Sequence, residues 1–185
     1  MDVLRGVAAR RAASGRRHCP GEVRLGAVGC QVAEITHRSV TRAALTAAPP
    51  TGSAQLAFCS PTYFSQNGTD VVMPDPRLIA GSWRRRWNAT LAEGDLLRID
   101  DGAWRETHRA IALTAFDLRT QRMDSGRAYE RAGFTGTATL RLGRDTPAAA
   151  GAIFGALVRF AEFCGTGAQT THGFGATRVR VPPGE

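Results

Sequence analysis

LVRFAEFCGTGAQTTHGFGATRV, residues 157–179, runs from the apolar stripe of a helix through four glycines into a strand. Ile153, Phe154, Leu157, Val158, Ala161 and Cys164 keep helical spacing, a stripe that faces a core, and Gly165 ends it. Thr146 and Pro147 open this helix. After the glycines, ATRVRV reads as a strand until the prolines at 182 and 183 stop it. Upstream, GFTGTATLRL (133–142) alternates Phe134, Gly136, Ala138, Leu140 and Leu142 against threonines and Arg141. AIALTAFDL (110–118) is a second strand, and the two are expected to pair. Between them RTQRMDSGRAYER forms a long polar connection with Arg119, Arg122, Arg127 and Arg131 near Tyr129. Arginines interleaved with an aromatic suit single-stranded RNA, although a solvated hairpin tip has the same composition.

Further upstream, Ala54 to Ser60 reads as an apolar strand and SPTYFSQNG as a punctuated loop. A helix follows, with Asp75 as its cap, Pro76 in its first turn and Ile79, Trp83 and Trp87 on one apolar face. Its other face is basic, but Arg84, Arg85 and Arg86 cannot all point one way, because helical neighbours lie about 100° apart. His108 follows Trp104 on a helix before the strand at residue 110 and reads as structural or exposed. The order from Ala54 is strand, helix, strand, strand, helix, strand: an α+β chain of the ferredoxin-like βαββαβ kind. EVRLGAVGCQVAEI gives a strand and Ser39 to Ala47 a helical turn or two, too little for a second whole lobe. The expected organisation is a disordered basic start (1–21), a truncated remnant of a first ferredoxin-like lobe (22–50) and a complete carboxy-terminal lobe (51–185).

The formal charge is +8, and all 24 basic residues are arginine. Without lysine there is no Walker A loop, no Schiff-base chemistry and no strand-borne kinase lysine. Arginine favours phosphate instead, through two parallel hydrogen bonds and stacking. Residues 1–24 hold six arginines and two acids, so half of the excess charge lies there, without the apolar stretch of a secretory signal. No window is apolar enough to span a membrane. Cys19, Cys30, Cys59 and Cys164 form no C-x-x-C pair, which argues against a zinc knuckle or a disulfide framework and for reduced, cytoplasmic thiols. No metal or other cofactor is expected.

Gly165, Gly167, Gly173 and Gly175 give G-x-G-x5-G-x-G between a helix and a strand, a spacing that lets the backbone turn tightly and brings its amides near a phosphate. It is not a Rossmann turn, since Thr170 fills the third glycine's place and the order of elements is reversed. Here the chain resembles the CRISPR repeat-cutting endoribonucleases of the RAMP superfamily, the sixth class of Cas proteins. The likeness rests on AFCSPTYFSQNG (57–68), MPDPRLIAGSWRRRWNA (73–89), FTGTATL (134–140) and the glycine-rich segment 157–179, about two thirds of the chain. The family has two ferredoxin-like lobes, and the resemblance implies RNA lying across them with the glycine loop near its backbone. On this plan, most of the lobe that commonly carries the family's catalytic histidine is expected to be missing from residues 22–50.

The resemblance implies metal-independent cleavage, in which the RNA 2′-hydroxyl attacks the adjacent phosphate and leaves a 2′,3′-cyclic phosphate and a 5′-hydroxyl. The protein must align the backbone, move two protons and stabilise developing charge. His37 and His172 are the catalytic candidates. RNA contacts are expected from Gly165, Gly167, Gly173, Gly175, His172, Arg84, Arg85, Arg122, Arg127 and Tyr129, the last by stacking. The implied partners are CRISPR repeat RNA or its precursor and other Cas proteins of an effector complex, with no membrane. Two other readings stay open: a non-catalytic or degenerate subunit that holds guide RNA, and a small α+β protein whose glycine loop holds a nucleotide.

Overall fold

The structure is a computed structural model that describes residues 21–25, 28–32, 38–123 and 131–182. The chain divides into two units, Met1–Thr41 and Arg42–Glu185. In the first, β1 (Gly21–Leu25) and β2 (Val28–Val32) form an antiparallel hairpin in which Val23 pairs with Cys30. The basic start expected over residues 1–21 lies, but for Gly21, outside the described residues.

The second unit holds α1 (Arg42–Thr46), β3 (Ser53–Thr62), β4 (Phe64–Gln66), β5 (Thr69–Val71), α2 (Pro76–Asn88), α3 (Asp101–Ala110), β6 (Ile111–Met123), β7 (Arg131–Leu142), α4 (Ala148–Cys164) and β8 (Thr177–Arg180). The main sheet runs β6-β7-β3-β8, antiparallel throughout. Each crossover helix therefore skips one strand position, which is the ferredoxin-like order expected from the sequence. Side chains alternate across β3: Ala54, Leu56 and Phe58 are buried while Gln55 and Cys59 are exposed. The buried side meets Ile79, Trp83 and Trp87 of α2 and Phe154, Leu157 and Val158 of α4 in one core. Both tryptophans are fully buried, and removing either ring would cost about 3–5 kcal/mol.

α2 begins as its sequence demands. The Asp75 carboxylate accepts from the Arg77 and Leu78 amides at 2.7 and 3.2 Å, and Pro76, which has no N–H to strand, takes the first turn. Two expected connections differ from their reading. The segment 61–71 is not all loop, since β4 and β5 pair around Asn67 and Gly68 (φ 51 and 78), the left-handed pair that closes a two-residue hairpin. The polar connection after residue 118 begins as strand, which runs to Met123, with Arg119 opposite Thr135 and Arg122 opposite Ala132. β6 is an edge strand with exposed flanks, so ladder hydrogen bonds sustain it where no apolar alternation does. Arg127 and Tyr129 lie outside the described residues.

Candidate nucleic-acid interface

The glycine loop is anchored before it is exposed. Gly165 caps α4 at φ 69, its amide donating to the Ala161 carbonyl at 2.8 Å. Thr166 is fully buried and sits at the centre of a hydrogen-bond chain. Trp83 Nε1 donates to Thr166 Oγ1 at 2.9 Å, Thr166 Oγ1 lies 2.7 Å from Thr177 Oγ1, and Thr177 Oγ1 donates to the Gly175 carbonyl at 2.8 Å. A hydroxyl has one proton, so Thr177, having given its own to Gly175, accepts from Thr166. The chain runs in one direction from the indole to the loop backbone, and each of its three side chains has a partner.

Two more residues of α2 serve the same loop. Ser82 Oγ accepts from the Gly167 amide at 3.2 Å and donates to the Ile79 carbonyl at 2.8 Å. Arg86 donates to the Gly167 carbonyl and, at 3.1 Å, to the Ser82 carbonyl. On the strand side, the amides of Ala168, Gly175 and Ala176 donate to Tyr63 O, Pro61 O and Ser60 Oγ at 2.8, 3.0 and 2.8 Å. The spacing S-W-x-x-R in α2 is thus a clamp for a loop more than eighty residues away, a role its helical periodicity does not reveal.

This anchoring changes one expectation. The amides of all four glycines donate to the protein itself, to Ala161 O, Ser82 Oγ, Thr170 O and Pro61 O in chain order. Phosphate would therefore be met not by these amides but by what projects beyond them, and a mononucleotide cradle built from them loses its donors. The projecting part is a 3₁₀ turn, Thr170–His172, entered through Gln169 in the left-handed region (φ 51). His172 is exposed, and its Nδ1 lies 3.2 Å from Thr171 Oγ1, which leaves Nε2 directed elsewhere. Gly173 follows in open space at φ 89, and Phe174 packs edge-on against Tyr63 at 5.5 Å.

The three consecutive arginines separate as the helical angle requires. Arg84 donates through Nε and Nη2 to the Ile99 carbonyl at 3.2 and 3.0 Å, pairs with Asp101 at 2.6 Å, and lies over the Trp104 ring at 5.4 Å. It ties α2 to α3 through Nε and Nη2. Arg86 is half-buried, and burial lowers its pKa from the ordinary value. Arg85 alone of the three is exposed. Beside Arg86, burial pushes the Cys164 thiol up to about 12, so it stays protonated and unreactive. His108 is half-buried against Trp104, and burial, with Arg77 and Arg84 adding to it, lowers its pKa. Arg122 lies exposed on β6, and His37 falls outside the described residues. Among the described residues, no three His, Cys, Asp or Glu side chains gather in a metal-holding group. Nor does any described helix have the length and apolarity to cross a membrane.

The family model described as CRISPR-associated endoribonuclease Cas6 matches residues 56–177, a span from β3 to the start of β8. The chain is 34% identical over 155 residues to the CRISPR-associated endoribonuclease Cas6 of two Mycobacterium tuberculosis strains, covering 80% of this chain and 47% of theirs. It therefore spans about half the length of the curated relatives it matches. Among solved structures, a Cas6 product complex superposes with a TM-score of 0.73 at 29% identity, over 86% of this chain and 66% of the other. Thermus thermophilus Cas6 does so with 0.67 at 29% identity, over 76% and 58%. The matched span holds the clamp on α2 and the loop it secures, and on this agreement of sequence and fold the chain belongs to the CRISPR-associated endoribonuclease Cas6 family.

Proposed function

We propose that this chain binds CRISPR repeat RNA in the cytoplasm and cuts precursor transcripts within the repeat, with residues 51–185 as the RNA-binding lobe. The observation that carries the reading is the loop itself, a polar tip bearing Thr171 and His172 on a base fixed by Trp83, Ser82 and Arg86. A rigid base matters because a phosphodiester must be held in line for attack, and small misplacements are costly. In the proposed reaction a base takes the proton of a 2′-hydroxyl, the 2′-oxygen bonds to phosphorus and the bond to the 5′-oxygen breaks. An acid then protonates that oxygen, so the products are a 2′,3′-cyclic phosphate and a 5′-hydroxyl. The reaction consumes no metal ion, water or cofactor. His172, with Nε2 directed away from Thr171, is the candidate for a proton transfer or for a hydrogen bond to phosphate, and His37 is a second catalytic candidate by sequence. Arg85 supplies a cation for the backbone from the outer face of α2.

The test is incubation with end-labelled repeat RNA in EDTA. Cleavage is expected to leave a 5′-hydroxyl fragment, and His172→Ala is expected to slow it by about 10²-fold or more if the residue moves a proton. Retarded RNA without product at excess protein would make the chain a non-catalytic RNA-binding subunit, and the absence of both would end the reading.

A further inference from the structure

Arg131, grouped by sequence with the arginines of a polar connection, turns inward. It begins β7, and its guanidinium lies against Tyr63, the residue between β3 and β4. Its Cζ is 5.3 Å from the centroid of the Tyr63 ring. Nη1 donates to Tyr63 Oη at 3.1 Å and to both carboxylate oxygens of Asp70 on β5, at 2.9 and 3.2 Å. That nitrogen carries two protons, one for the hydroxyl and one shared by the carboxylate. The two charged side chains are each 32% exposed, whereas Tyr63 is 1% exposed. Burial raises the Tyr63 pKa above its ordinary value, against the opposing charge of Arg131, so the hydroxyl meets the cation as a neutral acceptor.

Tyr63 in turn holds the glycine loop at two points. Its carbonyl accepts from the Ala168 amide at 2.8 Å, and its ring meets Phe174 edge-on at 5.5 Å. Ala168 follows Gly167, and Phe174 stands between Gly173 and Gly175, so the two contacts bracket the 3₁₀ turn that carries Thr171 and His172. The clamp on α2 bonds directly to Thr166 and Gly167, both ahead of this turn. A tyrosine ring is set by two torsions, both at its backbone end, so a tie at Oη fixes the end that the main chain does not. Arg131 supplies that tie, and Asp70 keeps the guanidinium in place.

We propose that Arg131 is a positioning residue for cleavage: held by Asp70, it pins Tyr63 and through Tyr63 seats the turn that presents His172. The proposal deepens the RNA-cutting reading and rests on it. It requires the phenol hydroxyl, which a direct contact between Arg131 and phosphate would not.

The test compares the whole chain with Arg131→Ala, Tyr63→Phe, the double variant, Arg131→Lys and Arg105→Ala, the last a control of equal charge on an exposed position of α3. Cleavage of repeat RNA gives kcat and KM, and amide hydrogen exchange of the free protein reports on Ala168. Arg131→Ala and Tyr63→Phe are each expected to lower kcat about tenfold with KM changed less than about twofold, because the turn is misplaced while phosphate contacts remain. The double variant should be no slower than the worse single one, since both break the same chain of contacts. Arg131→Lys, which still donates to both partners, should recover most of the rate, and Arg105→Ala should cut like the wild type. In the free protein Ala168 should exchange about tenfold faster in both single variants, with Leu140, buried in the sheet, unchanged. Tyr63→Phe, which removes one oxygen, carries the test should Arg131→Ala melt early. Lost affinity at intact kcat in Arg131→Ala, with normal cutting by Tyr63→Phe, would make Arg131 a phosphate contact and overturn the proposal. Losses that multiply in the double variant, or Ala168 exchange unaltered in both single variants, overturn it too. A wild type that cuts no repeat RNA removes the cleavage reading, and exchange at Ala168 then decides alone whether Arg131 seats the loop.

Discussion

Gly167 and Gly173 share a left-handed backbone, φ 82 and 89, but not their surroundings. A Cβ on Gly167 would collide with the Tyr63 carbonyl, a backbone atom that also holds the Ala168 amide, while a Cβ on Gly173 meets nothing within 4 Å. Gly173→Ala should therefore cost only the left-handed strain of an L-residue, about 1 kcal/mol, and leave the fold intact. Gly167→Ala adds overpacking against backbone and should lose roughly 3 kcal/mol or more. Urea unfolding of the two variants checks this, and equal losses would refute it. The need for glycine was legible in the spacing G-x-G-x5-G-x-G, but the different roles of the four were not. Tyr63, Ser82 and Pro61, which occupy or crowd them, stand about a hundred residues away in the chain, and no local pattern encodes that contact. For the same reason the glycine amides, read as free donors, prove to be spent within the protein.

α2 shows where periodicity is informative and where it stops. A four-residue recurrence identifies Ile79, Trp83 and Trp87 as core, and they are fully buried. Recurrence says nothing of where polar tips go, and three adjacent arginines prove to have different surroundings. Arg84→Ala breaks the bonds to Ile99 and Asp101 that join α2 to α3 and should lower stability by about 1.5–3 kcal/mol. Arg85→Ala should leave stability within about 0.5 kcal/mol and weaken RNA binding instead. Thermal melting beside filter binding separates the pair, and the opposite assignment would show that the exposed side chain is not the one facing RNA. Capping by Asp75 and the pairing of β6 with β7 were likewise readable, because both follow from local chemistry. The Asn67-Gly68 hairpin carries a local turn signal, whereas the length of β6 carries none, since an exposed edge strand need not alternate.

The order of elements from β3 to β8 could be read from the chain, and it matches the ferredoxin-like sheet order β6-β7-β3-β8, in which each crossover helix skips one strand. What the order could not supply is the convergence of α2, the end of β3 and the glycine loop at one end of that sheet. Among the described residues, the buried core runs from Leu45 to Ala161, within Arg42–Glu185. A polypeptide of residues 42–185 is therefore expected to fold alone, with a single cooperative urea transition of ordinary stability, roughly 5–15 kcal/mol. A broad, non-cooperative transition monitored by circular dichroism would contradict it.

Trp83, fully buried and bonded through Nε1 to Thr166, is also a chromophore placed under the loop. Trp87 gives its own N–H to the Leu97 carbonyl at 2.7 Å, and Trp104 lies beneath Arg84, so each of the three indoles has its own electrostatic setting. An occupant that lifts or tightens the loop alters the dipole felt by the one indole bonded to it, Trp83. The ultraviolet emission of the unlabelled protein is thus a built-in optical gauge of loop seating, readable in real time as a polyanion arrives.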